Sequence, residues 1–197
     1  MFEGANTIGS FVTDAAIDNF QLATEATLTA PNAIEMTAAE AGYVKYENGM
    51  YFLATNMVKN ATTEETYATL SGALAAAQNG ETIELLDNIT EDVTISKNVT
   101  INGAGKTYTG VMTLNNVNAT IQNVAFVKGQ VYKHKNTGLT ANVTVKDCSF
   151  NGQGLNEYAL NIGGGTSLLV EDCTAQNYGY GFIQVASAIS NVTVKGV

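Results

Sequence analysis

The stretch Asn142-Val-Thr-Val-Lys-Asp-Cys148 decides the reading of this chain, because it recurs. Downstream stand Ser167-Leu-Leu-Val-Glu-Asp-Cys173 and Asn191-Val-Thr-Val-Lys-Gly-Val197. Upstream stand Asn118-Ala-Thr-Ile-Gln-Asn-Val124 and Asn98-Val-Thr-Ile-Asn-Gly103. The anchors at 98, 118, 142, 167 and 191 lie 20, 24, 25 and 24 residues apart. Copies at such even spacing are the mark of a repeat architecture.

The columns of this repeat have physical meaning. Val99, Ala119, Val143, Leu168 and Val192 form one apolar column. Ile101, Ile121, Val145, Val170 and Val194 form a second, two residues on. Between them lie Thr100, Thr120, Thr144, Leu169 and Thr193. This period of two is that of a strand with one buried face. A column of Gly103, Asn123, Asp147, Asp172 and Gly196 follows. Those residue types tolerate left-handed backbone, so the chain bends there. Ala104, Val124, Cys148, Cys173 and Val197 then point inward, with Phe126 and Phe150 two residues later. Further apolar stretches, 111–114, 158–162 and 182–185, complete the units. A unit of about 20–25 residues cannot bury its own apolar face, whereas stacking units at about 4.8 Å buries a continuous core. The expectation is an all-β solenoid of parallel strands with about five coils. The Leu/Asn spacing of a leucine-rich repeat is absent.

Outside the repeat, Leu70 to Gln78 reads as a short helix that ends at Asn79-Gly80 and covers the open N-terminal end of the solenoid. Tyr43 to Leu53 reads as a β-hairpin about Asn48-Gly49. Residues 1–40 allow two readings. Phe11, Ala15, Ala16, Ile17 and Phe20 line a helix face, or Ala16 to Leu22 forms a strand. The chain thus divides into an attachment or linking segment (1–40), hairpin and capping helix (41–80) and solenoid (81–197). Met1 to Asn6 lacks the basic start of a secretory signal. The last repeat stops at Val197 within a coil, so a fragment, or docking of that end on a partner subunit, is expected.

Composition narrows the function. The formal net charge is −9, and all nine basic residues are Lys. Nucleic acid is disfavoured as a partner, since phosphate contacts need clustered Lys and Arg. No run approaches the ~18 apolar residues of a membrane span. One His, His134, leaves no His-based metal cluster, and no metal or cofactor is expected. The 25 Thr and 21 Asn favour exposed β-structure over a helical enzyme.

At residues 66–197 the sequence resembles the right-handed parallel β-helix, or pectin-lyase-like, superfamily. Tyr67 to Leu86 looks like the segment that leads into that fold, in which a short helix covers the first coil. Ile101-Asn-Gly-Ala-Gly-Lys-Thr-Tyr108 is similar to a frequent first-coil motif of it. The resemblance implies a fold shared by lyases, hydrolases, phage tailspikes and bacterial adhesins. Its lyases use an acidic calcium cluster and a basic residue, commonly Arg. Its galacturonases use several Asp, a His and an Arg-x-Lys motif. This chain has no Arg, and His134 stands in no such motif.

Asp147 and Asp172 share a column in neighbouring coils. They are the alternative catalytic pair, as general acid and base, and otherwise are stacked bend residues. Cys148 and Cys173 also share a column, either as a disulfide or as a buried thiol pair. Asn102-Gly-Ala-Gly-Lys106-Thr107 lacks the first Gly of a phosphate-binding loop. Six Asn-x-Thr sequons begin at Asn60, Asn88, Asn98, Asn118, Asn142 and Asn191. Four of them arise from the repeat itself. The Thr column suggests an ice-binding face as a minor alternative, which Leu169 interrupts. Tyr108, Tyr132, Tyr158, Tyr178 and Tyr180 are the ligand-binding candidates, because an exposed ring stacks on sugar faces.

The expected protein is a non-catalytic structural or recognition module on a virion or bacterial surface: a fibre, decoration protein or adhesin. Its expected partner is a glycan or a surface protein, with assembly as a homo-trimer or by docking through the C-terminal coil. A polysaccharide lyase or hydrolase is the alternative.

Overall fold

The computed structural model describes residues 21–23, 44–47, 50–53, 56–134 and 140–197. Among the described residues the chain is all-β apart from one short helix, and most strands are parallel in curled sheets. Parallel pairs join strands from successive repeats, as the repeat spacing requires.

Three ladders run through the repeats. The first holds Thr82–Leu85, Val99–Asn102, Ala119–Gln122, Asn142–Lys146 and the second half of Tyr158–Glu171, then of Gly181–Lys195. Its register pairs Ile83, Ile101, Ile121, Val145, Val170 and Val194 in sequence. Thr82, Thr100, Thr120, Thr144, Leu169 and Thr193 align beside them. The columns read from the sequence are therefore real neighbours across strands.

The second ladder holds Ile89–Thr90, Thr107–Thr109, Ala125–Val127, Ser149–Leu155 and Thr174–Tyr178. Tyr108, Phe126 and Phe150 align along it. Phe126 and Phe150 stack at 4.5 Å, and Tyr108 meets Phe126 edge-on at 5.6 Å. The third holds Val93–Ile95, Val111–Leu114, Gln130–Lys133 and the first halves of the two long strands. Because Tyr158–Glu171 runs through both the first and third ladders, they merge into one eleven-stranded sheet.

That sheet is mixed at its start. Val58–Asn60 pairs antiparallel with both Thr66–Tyr67 and Thr82–Leu85. The helix spans Leu70–Ala76 and buries Leu70, Ala73 and Leu74 in the common core. It ends two residues before the expected stop, because Ala77 turns extended and buries its methyl group. Val44–Glu47 and Met50–Leu53 form the expected hairpin, and Gln21–Ala23 adds a third antiparallel strand. The turn residues Asn48 and Gly49, the helix reading of Phe11 to Phe20 and residues 16–20 of the strand reading lie outside the described residues; Gln21 and Leu22, the end of that strand reading, are in a strand.

Among the described residues, Asn60, Gln130 and Lys133 are buried although not apolar. Lys133 follows Val131 by two residues, so alternation points it into the core, and it is 1% exposed. Its ammonium donates to the Gly163 carbonyl at 3.0 Å. Burial lowers its pKa below the ordinary lysine value.

Candidate functional site

The bend column forms one side of an open groove. Asn123, Asp147, Asp172 and Gly196 all have positive φ, between 51° and 62°. In the repeat at 103 the left-handed residues are instead Ala104 and Gly105. Gly103 serves close approach, since a side chain there would collide with the Asn123 carbonyl. The groove encloses about 620 Å³ and is lined by Asn102, Asn123, Asp147, Ser149, Asp172 and Thr174, among others.

Asp147 and Asp172 do stand together there, one per repeat, with exposed carboxylates. Their backbones secure the bends: Asp147 N–H donates to Glu171 and Asp172 N–H to Lys195, each at 3.0 Å. Chemically, the groove offers two carboxylates, two carboxamides and two hydroxyls to a polar ligand. Among the described residues, no group of three or more His, Cys, Asp or Glu side chains is placed to hold a metal ion.

Cys148 and Cys173 follow the two Asp and are buried free thiols. Their S–H groups donate to the Lys146 and Glu171 carbonyls, both at 3.1 Å. The hydrogen bond shared with Cys173, together with burial, raises the Cys148 thiol above the usual range. A thiol so held is a core group and a poor nucleophile.

The five tyrosines separate. Tyr108 is fully buried, against the expectation of an exposed ring. It sits on the inward face of its strand, packed on Phe126, with its hydroxyl on the Glu91 carbonyl. Tyr178 is half-buried, and its hydroxyl donates to the Gly129 carbonyl, across repeats. Burial pushes its pKa up to about 12. Tyr132 is half-buried, with its ring 6.3 Å from that of His134. Tyr158 and Tyr180 come together, with ring centroids 5.6 Å apart and planes tilted by 55°. Tyr180 is 61% exposed, and it makes this pair an aromatic surface feature of the described residues.

Several sequon asparagines, together with Asn79, have a structural use that spacing alone did not show. Asn79, Asn98 and Asn118 each accept the backbone N–H of the next rung, Asn98, Asn118 and Asn142, at 2.8, 2.8 and 2.9 Å. Asn142 accepts the Ser167 hydroxyl at 2.8 Å. The side chain of Asn60 is buried and holds Thr62, Thr63 and Glu81. Recurrence of Asn was the available signal for this ladder. Compared with family models, curated proteins and solved structures, the chain matches none.

Proposed function

We propose that the curled parallel sheets are a right-handed parallel β-helix of about five coils, of the pectin-lyase-like type. The protein is then a non-catalytic structural and recognition module displayed on a virion or bacterial surface. The observation that carries this reading is the register of the outward positions, Thr82, Thr100, Thr120, Thr144, Leu169 and Thr193. Such stacking makes one long polar face from a short repeat, and rigidity is what a displayed module needs. Glycans are the ligand class, because Tyr158 and Tyr180 offer adjacent rings with polar tips. The test is a glycan array of neutral and acidic sugars. Tyr180→Ala and Tyr158→Ala should each weaken binding at least tenfold while far-UV circular dichroism stays unchanged. Binding that survives both substitutions sinks the tyrosine assignment.

The groove supports a second reading. Asp147 and Asp172 line it from neighbouring repeats, as a polysaccharide lyase or hydrolase of this fold type would use it. Incubation with acidic and neutral polysaccharides separates the two readings. The non-catalytic one expects no new chain ends. Turnover abolished by Asp147→Asn or Asp172→Asn would replace it.

A further inference from the structure

Cys148 and Cys173 stand opposite each other on neighbouring rungs. Register fixes this from both sides. Lys146 pairs with Glu171 before them, and Ser149 pairs with Thr174 after them. The backbone ladder passes through the pair, since Thr174 N–H donates to the Cys148 carbonyl at 3.0 Å. Both side chains point into the core, at 3% and 0% exposure. They take the same course, each S–H reaching the carbonyl two residues before it at 3.1 Å. Neighbouring strands lie about 4.8 Å apart, and a disulfide joins Cα atoms about 4.4–6.8 Å apart. The backbone is therefore already spaced for an S–S bond, which needs only a turn of the two side chains.

We propose that Cys148 and Cys173 are a redox pair, which hydrogen peroxide closes to a disulfide tying the 142–148 rung to the 167–173 rung. Register is the first support. The second is that the two thiols are unequal. A hydrogen bond from Cys148 lowers the Cys173 thiol to about 7, while Cys148 is raised. Cys173 thus supplies the attacking thiolate, and Cys148 is the partner that keeps its proton. The third is access. Cys148 lines the open groove, so a small neutral oxidant meets the pair from that side. The chemistry balances in two steps. The Cys173 thiolate attacks one peroxide oxygen, the O–O bond breaks, and the departing hydroxide takes up the proton that Cys173 released. Cys173 is then a neutral sulfenic acid, so the thiolate that held the Cys148 proton is gone. The Cys148 sulfur attacks that of Cys173, the S–O bond breaks, and hydroxide leaves with the Cys148 proton as water. Two thiols lose two electrons and two protons, and one peroxide becomes two waters. Asp147 and Asp172 directly precede the two cysteines and line the groove, so the bond fixes the spacing of these bends. This inference does not depend on the ligand class or the chemistry proposed above.

The test treats the native full chain with hydrogen peroxide and then alkylates remaining thiols in urea. Both thiols should be lost together, the intact mass should fall by two hydrogen atoms, and a thiol reductant should restore it. Glu157 lies between the two cysteines, so cleavage after Glu leaves them on one product only where the bond has formed. The urea midpoint of the oxidised chain should rise by about 1 M. Cys148→Ser should stop at the Cys173 sulfenic acid, trapped by dimedone, and Cys173→Ser should react at least tenfold more slowly. The mass readout uses the unsubstituted chain, so a folding defect in a variant does not imitate it. Thiols that both survive peroxide overturn the proposal. So does oxidation of each Cys without an S–S bond, or a disulfide formed only between chains. Equal rates in the two Ser variants overturn the inequality on which it rests.

Discussion

Asn118 shows how one side chain serves two repeats. Its backbone N–H is held by Asn98, and its carboxamide oxygen accepts both the N–H and the side-chain amide of Asn142, at 2.9 and 3.0 Å. Water can replace part of this at an exposed site, so Asn118→Ala should cost about 1 kcal/mol, read as a lower urea midpoint with unchanged slope. Among the described residues, no rung follows Asn191 for its side chain to hold. Asn191→Ala should stay within about 0.5 kcal/mol of the parent in the same titration. A larger loss at Asn191 than at Asn118 would contradict the ladder account. The Asn and Thr columns were legible because each recurs at one register position. The role of Lys133 was not legible, since a Lys followed by His134 and Lys135 reads as part of a solvated basic stretch. Only the course of the strand shows that alternation carries it inward.

The Leu70–Ala76 helix has seven residues and cannot persist alone, because short helices do not repay nucleation. Three things hold it. Leu70, Ala73 and Leu74 pack on the core, and Thr69 caps the N-terminus by accepting the Gly72 N–H at 3.1 Å. The third is a pair of charges from the chain that follows. Glu91 accepts the Leu70 and Ser71 N–H groups at 3.0 and 3.1 Å. Lys97 donates to the Ala75 and Ala77 carbonyls at the other end. A carboxylate at the N-terminus and an ammonium at the C-terminus both oppose the helix dipole. Glu91→Ala should therefore destabilise by about 1–2 kcal/mol. Hydrogen exchange should locate the loss at residues 70–77; uniform loosening of all ladders would argue against a local clamp. The helix itself was legible from its Ala and Leu content and the Asn-Gly after it. Its clamps were not, since Glu91 and Lys97 lie about one repeat away and no local signal marks them.

Across the whole molecule, buried tyrosines couple stability to alkaline pH. Burial and a hydrogen bond to Glu65 raise Tyr67 to about 12, and burial raises Tyr178 to about 12. Burial, helped by Glu91 and Asp92, raises Tyr108 as well. An unfolded tyrosine titrates near 10, so above that pH the folded chain keeps protons that the unfolded chain gives up. Their contribution is complete below about pH 10 and is lost as pH rises toward 12. Lys133 acts the other way. Its folded pKa is lowered, so its cost is relieved as pH rises through the window below the ordinary lysine value. Three groups outweigh one, and urea midpoints should fall as pH rises above about 10. Tyr178→Phe should flatten that fall, and an equally steep profile would remove Tyr178 from the account. Period-two columns and five copies of the repeat determined by themselves that the chain is β-rich, stacked and bent at the Asn/Asp column. Such information is local or repeats, so it survives in one dimension. The tertiary structure alone decided which tyrosines are core and which are surface, that Tyr158 meets Tyr180, and that Lys133 lies inside. Those outcomes depend on which repeat lies above or below a residue, and burial is a property of neighbours that no single segment contains.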